Sequence, residues 1–395
     1  MIRFVRLVFL FAMICGAAYV LAADAPASVT VTVRNPIALA RTSETVELQA
    51  ADLQRLLGVT DVRRVHVREE GSSHDLLVQA VDTNGDGKFE ELIFQIDIGP
   101  NETRRLYLTA GERQVLVPED FKAYGRFVQE REDDFAWEND RIAHRAYGKA
   151  LETWPQEPLV SSSIDVWTKR VRRLVVNNWY MVGDYHHDHG EGGDFYQAGA
   201  SRGCGGTGLW SGGKLYPSAN FRKSRTLANG PIRVMFELTY DAWDAAGVRV
   251  SEVKRITLDA GQNLDRFESQ YKVESGSGEL IHASGIRKKP TSVSSFSRER
   301  GLLRTWETMH DYKEEMGQLG IAVIAADPAS ITGVAQDAAN YLLTMNVPAS
   351  GRVVYYAGFG WTRSGDFKTV EDWDRYVSEF EKRLRAPLEV TVGAK

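Results

Sequence analysis

From Val29 the chain reads V-T-V-T-V, apolar and polar residues alternating at a period of two, and the same rhythm returns at residues 92–98 (L-I-F-Q-I-D-I) and 105–108 (R-L-Y-L). Half-buried β-strands give that alternation, because successive side chains point to opposite faces of a sheet. Residues 26–117 hold several such strands and one short helical stretch at 51–57, which predicts a small immunoglobulin-like β-sandwich. Pro118 and the acidic run 130–134 separate it from the rest. Residues 120–395 alternate strand-like runs (232–240, 248–258, 267–273, 321–325, 352–359) with Gly-rich loops, and nothing in them suggests βαβ order. The one convincing helix comes last. Val370, Trp373, Val377, Phe380 and Leu384 recur at steps of three and four behind Thr369-x-x-Asp372, a capping-box start, and Pro387 bounds the run. The expected fold is mainly β, with a large antiparallel sheet pair closed by this helix and a last strand at 388–392.

Arg3 and Arg6 followed by an apolar run at 7–21 and by Ala22 read as a secretory signal peptide over residues 1–22. Roughly 15 apolar residues are too few for a stable membrane span, so the expectation is a periplasmic or secreted protein with no membrane attachment after cleavage. Cleavage removes Cys15 and leaves Cys204 alone, so no internal disulfide supports the fold and Cys204 reads as a small packed residue. It also removes two arginines and no acid, taking a formal net charge of −5 further negative. That balance argues against a nucleic-acid partner, while still permitting a local basic cleft for an anionic sugar.

Two segments carry chemistry. In D-T-N-G-D-G-K-F-E-E, residues 82–91, Asp82, Asn84 and Asp86 alternate around Gly85 and Gly87 and lead to Glu90. Hard oxygen donors at this spacing on a tight turn suit a structural Ca²⁺, although an EF-hand is excluded by Ile93 where its bidentate Glu belongs. An Asx-rich hairpin turn without metal is the alternative. The second segment is Y-H-H-D-H-G-E-G-G-D-F-Y, Tyr185 to Tyr196, which concentrates three of the eight histidines beside a Gly-rich stretch. Imidazole titrates near neutrality, and tyrosine can donate a proton, so acid/base or sugar-binding chemistry is expected here. A transition-metal site and a plain solvated loop are the alternatives. Trp361, following Gly358-Phe359-Gly360, reads as a loop-exposed sugar platform, and His282, Arg287, Lys288 and Lys289 form a short basic cluster.

The strings W-E-N-D-R-I-A-H-R-A-Y-G (137–148), I-D-V-W-T-K-R-V (164–171), W-Y (179–180), D-H-G-E-G-G-D-F-Y (188–196) and D-T-N-G-D-G resemble a family of exported bacterial proteins known as a domain of unknown function. Genes of that family tend to sit in clusters for breakdown of uronic-acid-rich polysaccharides such as pectin and ulvan. The resemblance covers nearly the whole mature chain. It implies a galactose-mutarotase-like supersandwich for the larger domain, and an enzyme that dehydrates or cleaves uronate-containing oligosaccharides by β-elimination. One position departs from it: His144 stands where an apolar residue is expected.

β-Elimination needs a base, a proton donor for the leaving group and positive charge at the substrate carboxylate. His187 or His189 is the expected base, Tyr196 or Tyr185 the acid, and Arg141, Arg145 or Lys169 the carboxylate partner, with Glu191, Asp194 and Trp361 binding the sugar. Glycoside hydrolysis by Glu191 with Asp194, or Glu138 with Asp140, is the alternative chemistry. A non-catalytic periplasmic sugar-binding or mutarotase-like module is the third reading.

Overall fold

The computed structural model describes residues 28–311 and 314–394. Residues 1–22, read above as a signal peptide, lie outside them. The described chain is mainly β, its named strands pair antiparallel throughout, and one long helix stands near the C-terminus. Among the described residues no helix is long and apolar enough to cross a membrane.

The first unit is a two-sheet sandwich. Val29, Val31 and Val33 of the strand Ser28–Arg34 and Leu106 and Leu108 of Thr103–Ala110 face Val46, Leu48 and Phe94 across its core. The period-two pattern is thus a buried face opposite a solvated one. The helix Ala50–Leu57 contributes Leu53 and Leu57 to the same core. The last strand, Glu389–Ala394, was expected to complete the large domain; it pairs instead with Ser28–Arg34 at the edge of this sandwich. An unpaired edge strand exposes a row of backbone donors and acceptors, and the returning C-terminus covers that edge.

The remainder forms three sheets. Eight strands run in the order Lys223–Asn229, Arg233–Ala245, Val248–Asp259, Leu264–Ser275, Arg352–Trp361, Glu314–Ala325, Leu302–Asp311, Val293–Ser297. Five more, centred on Cys204–Ser211, Ile281–Arg287 and Asn340–Asn346, form a second sheet, and residues from both fill a common core. The helix Val370–Arg385 lies on this framework, its start fixed by reciprocal bonds between Thr369 and Asp372. Its Trp373 rests where Gly320 and Gly360 leave room; a Cβ at Gly320 would come within 2.4 Å of the indole. Val81 and Ile93 of the sandwich meet Ala228 and Met235 of the large sheet and Ile232 in the turn between their strands, joining the two units through an apolar contact.

The third sheet positions the site. Its order is Gly192–Gly193, Ile164–Lys169, Ile142–Ala146, Asp134–Asn139, Ala123–Val128. Between its strands the chain makes a short helix, Val176–Val182, stops it at Gly183 with φ 73°, and enters the histidine segment. Left-handed backbone at that point costs glycine almost nothing. The segment returns to the sheet at Gly192, where φ is 109° and a Cβ would stand 2.0 Å from the Thr168 carbonyl oxygen. The histidine loop is therefore pinned at both ends.

Candidate functional site

The short helix is fastened from below. Glu138, fully buried, accepts the backbone N–H groups of Val175 and Val176 at 2.8 Å and the Lys169 ammonium at 2.6 Å. Lys169 also donates to the Asn139 carbonyl at 2.6 Å. Lys169 was expected to meet a substrate carboxylate. With no exposed surface and its charge matched by Glu138, it is a structural anchor. The same pairing removes Glu138 from the hydrolase reading, and its proposed partner Asp140 accepts the backbone N–H of Gly261.

Above this anchor Trp167, Trp179, Tyr180 and Tyr185 pack ring to ring, with Trp167 and Tyr185 stacked at 4.6 Å. A cavity of about 440 Å³ opens over them, lined by Trp179, Met181, Tyr185, His187, His189 and Glu191 among others. Glu191 accepts the Trp179 indole N–H at 2.9 Å and pairs with Arg173. His187 and His189, both exposed, share one carboxylate: Asp184 lies 2.5 Å from Nδ1 of the first and 2.9 Å from Nε2 of the second. Its hydrogen bond and charge raise the His187 pKa above the usual imidazole value, and the hydrogen bonds from His187 and His189 in turn lower that of Asp184.

His186 is placed differently. It is half-buried against the Tyr185 ring, and its Nδ1 lies 3.2 Å from the Asp194 carbonyl oxygen. A carbonyl only accepts, so Nδ1 carries the hydrogen and Nε2 keeps its lone pair. Burial pushes its pKa down, the Arg145 charge adds to this, and the imidazole is neutral at pH 7.

Beneath His186 sits a buried charge cluster. Arg145 donates to Asp165 at 2.6 Å and to Asp194 at 2.9 Å, and stands 3.8 Å from Asp134, which is ion-pair distance but too long for a hydrogen bond. Tyr147 donates to Asp165 at 3.0 Å. Three carboxylates thus face one guanidinium almost wholly shielded from solvent. Burial raises the Asp134 pKa to about 7, and burial together with the Asp165 charge raises that of Asp194. Arg131 lies beside the cluster and donates to the Tyr185 hydroxyl at 3.1 Å.

Several expected roles change. Tyr196, expected as the acid, has no exposed surface and donates to the Gly203 carbonyl at 2.9 Å. Trp361, expected as an exposed platform, ends a central strand, is 1 % exposed and donates to the Met316 carbonyl at 2.6 Å. Arg141 is tied to Asp366, which also holds Arg172. Arg145 and Asp194 are buried beneath the loop. Asp194 therefore does not stand across an open cleft from Glu191 as a hydrolytic pair would. Tyr185, His187, His189 and Glu191 do converge on the cavity. His186, Asp165, Asp134 and Tyr147 were not singled out. One signal for two of them was present: Arg145 and Tyr147 are two residues apart, so they share a face, and Asp165 is the cross-strand partner of Arg145.

His144 is a core residue. Its Nδ1 donates to the Asp165 carbonyl at 2.8 Å, its Nε2 lies 3.1 Å from Asp265, and it stacks on Trp137. The Nδ1 hydrogen bond and the stacking on Trp137 let a histidine occupy a place suited to an apolar side chain.

In the small sandwich, the carboxylates of Asp82, Asp86 and Glu90 present oxygens within 4.8 Å of one another. Asp82 also accepts the N–H groups of Gly85 and Gly87 at 2.6 and 2.7 Å, and Asn84 donates to Glu90 at 3.0 Å. The donor set fits a hard cation such as Ca²⁺. The loop abuts the large domain, since a Cβ at Gly85 would come within 2.9 Å of Arg225.

A solved protein in the glycosyl hydrolase family 38 from Enterococcus faecalis superposes with a TM-score of 0.51 at 9 % identity, covering 93 % of this chain. An alpha-mannosidase from the same organism gives 0.45 at 8 % identity. The present chain spans about half the length of those solved chains, 47 % and 46 %. At such identity the first likeness speaks to the fold alone. In sequence, the chain is 34 % identical over 374 residues to "Uncharacterized protein P7" of Formosa agariphila, covering 92 % of this chain and 93 % of that one. The model of the domain of unknown function DUF4861 matches residues 33–390, and the chain belongs to that family.

Proposed function

We propose that this protein is an exported carbohydrate-active enzyme that acts on uronic-acid-containing oligosaccharides by β-elimination at the histidine loop, with the sugar resting in the adjoining cavity that His187 and His189 line. The observation that carries the reading is a pair of adjacent imidazoles displaced in opposite directions, His186 towards the neutral form by burial and His187 towards the charged form by Asp184. Two titratable groups pushed apart by their surroundings are the mark of a base and an acid working together. His186 Nε2 takes the proton at C5. The C5–H electron pair becomes the C4–C5 double bond, the C4–O bond breaks, and its oxygen leaves with the proton of His187. His186 then returns its proton to water and His187 is recharged. Trp179 and Tyr185, largely buried against Trp167, contribute apolar edges to the cavity wall against which a sugar would rest. A glycosyl hydrolase family 38 protein shares the fold, which makes a saccharide a natural ligand for such a scaffold. The basic, apolar start of the chain supports export to the periplasm or medium.

Elimination makes a conjugated double bond that absorbs near the ultraviolet edge, whereas hydrolysis and simple binding do not. Incubation with pectin and ulvan oligosaccharides should produce that absorbance, and loss of one water by mass would identify water as the leaving group. No absorbance across such a panel would sink the reading.

We propose further that the Asp82 loop holds a structural Ca²⁺. Three carboxylates facing one another repel without a cation, and the loop braces the contact with the large domain. A chelator should lower the melting temperature by several degrees, and added calcium should restore it; an unchanged melting temperature would leave the loop a metal-free turn.

A further inference from the structure

The turn after the strand Ile281–Arg287 places two cations on one aromatic ring. The Arg287 guanidinium lies 5.8 Å from the Tyr196 ring centre and the Lys289 ammonium 5.3 Å from it. Neither can swing away freely. Arg287 donates to the Tyr196 backbone carbonyl, and its own N–H is bonded to Gly203 at 2.9 Å. Lys289 lies 3.0 Å from Glu307, whose side chain is wholly buried, while its own ammonium side chain is 17 % exposed. Ser292 locks the turn by accepting the Lys289 backbone N–H at 3.0 Å and donating to Glu307 at 2.6 Å. Glu307 therefore neutralises the lysine. Arg287, half-buried, has no ion-pair partner among the described residues, so its guanidinium, held in place by its backbone bonds, keeps its positive charge uncompensated.

Most arginines in this chain are answered by a carboxylate. Arg233 has three within ion-pair reach, Arg145 likewise, and even the exposed Arg172 and Arg173 are paired. A pre-oriented guanidinium beside a partly buried ammonium, with a deficit of negative charge, is the arrangement that binds an oxyanion. We infer that Arg287 and Lys289, held on the Tyr196 ring, form an oxyanion subsite that takes the carboxylate or sulfate group of an acidic sugar chain. The inference rests on the saccharide reading above, and Tyr196, as the last residue of the histidine segment, joins the two features in the chain. The neighbouring Lys288 bonds Gln336, and His282 is buried with Tyr271 and Ser284, so neither belongs to the subsite.

The test is calorimetric binding to the full protein of trigalacturonate, of a sulfated neutral trisaccharide and of the uncharged trisaccharide. Arg287→Gln should weaken whichever anionic ligand the wild type binds by about tenfold or more and leave the uncharged one unchanged, while Arg287→Lys should recover part of the loss. The wild-type preference between the first two ligands separates carboxylate from sulfate. Wild-type affinity in Arg287→Gln for both anions, or equal binding of the uncharged sugar by the wild type, overturns the subsite. Inorganic sulfate titrated into wild-type protein gives the answer without a variant: saturable competition is expected, and its absence counts against the proposal. Binding without any ultraviolet product would remove β-elimination and leave the subsite standing; elimination at an unchanged rate and affinity in Arg287→Gln would do the reverse.

Discussion

Replacing Arg145 by methionine should destabilise the protein by about 3–5 kcal/mol, the cost of leaving buried charge without its partner. The guanidinium faces Asp134, Asp165 and Asp194, and all three are shut away from water. Methionine of similar length fills the space and isolates the electrostatic loss. Urea unfolding monitored by tryptophan fluorescence would measure it, and a change within about 0.5 kcal/mol would show that the carboxylates simply take up protons at little cost. The same cluster sets a pH dependence of unusual sign. Asp134 has its pKa raised from 3.8 to about 7 in the folded protein, and Asp194 is raised as well. Between those values the folded state binds more protons than the unfolded one, so this contribution is complete below about pH 4 and is lost as the pH rises through the folded pKa. Asp194→Asn should flatten the decline between about pH 4 and pH 8, the window between the ordinary carboxylate value and the raised one of Asp194.

His186→Ala should lower kcat/KM by about 10²–10⁴-fold, the usual contribution of a positioned general base, with little change in melting temperature because the ring is half-exposed. The wild-type profile should be bell-shaped. The acidic limb belongs to His186, which must be neutral and whose pKa lies below the ordinary imidazole value; the alkaline limb belongs to His187, which must be protonated and whose pKa lies above it. His187→Gln should therefore remove the alkaline limb along with most of the rate. Retention of near wild-type turnover in His186→Ala would transfer the base to another residue. A melting temperature that fell by many degrees would instead make His186 a structural support for the loop.

Local pattern carried much of the architecture. The V-T-V-T-V strand and the 370–385 helix with its capping box each depend on periods and dihedral needs that extend over a few residues, and both were found where the sequence indicated. The partner of the final strand was not legible, because an edge that needs covering exists only once the first sheet has formed. The same holds for Trp361. Its flanking glycines read as an exposed loop, yet those small residues let a central strand pass beneath other side chains, Gly360 lying under Phe367 and Trp373. In the histidine segment, composition identified the loop but not how burial and charge set its imidazoles apart.

The sequence by itself determined that the chain is mostly antiparallel β, where its long helix begins, which loop gathers hard oxygen donors and which segment gathers titratable side chains, since composition and spacing are properties of neighbours along the chain. Only the tertiary structure decided that Lys169, Tyr196 and Trp361 are buried, that Arg145 stands among three carboxylates, and that His186 and His187, one residue apart, are driven to opposite protonation preferences. Burial and the approach of distant charges set those outcomes, and neither is a property of residues adjacent in sequence.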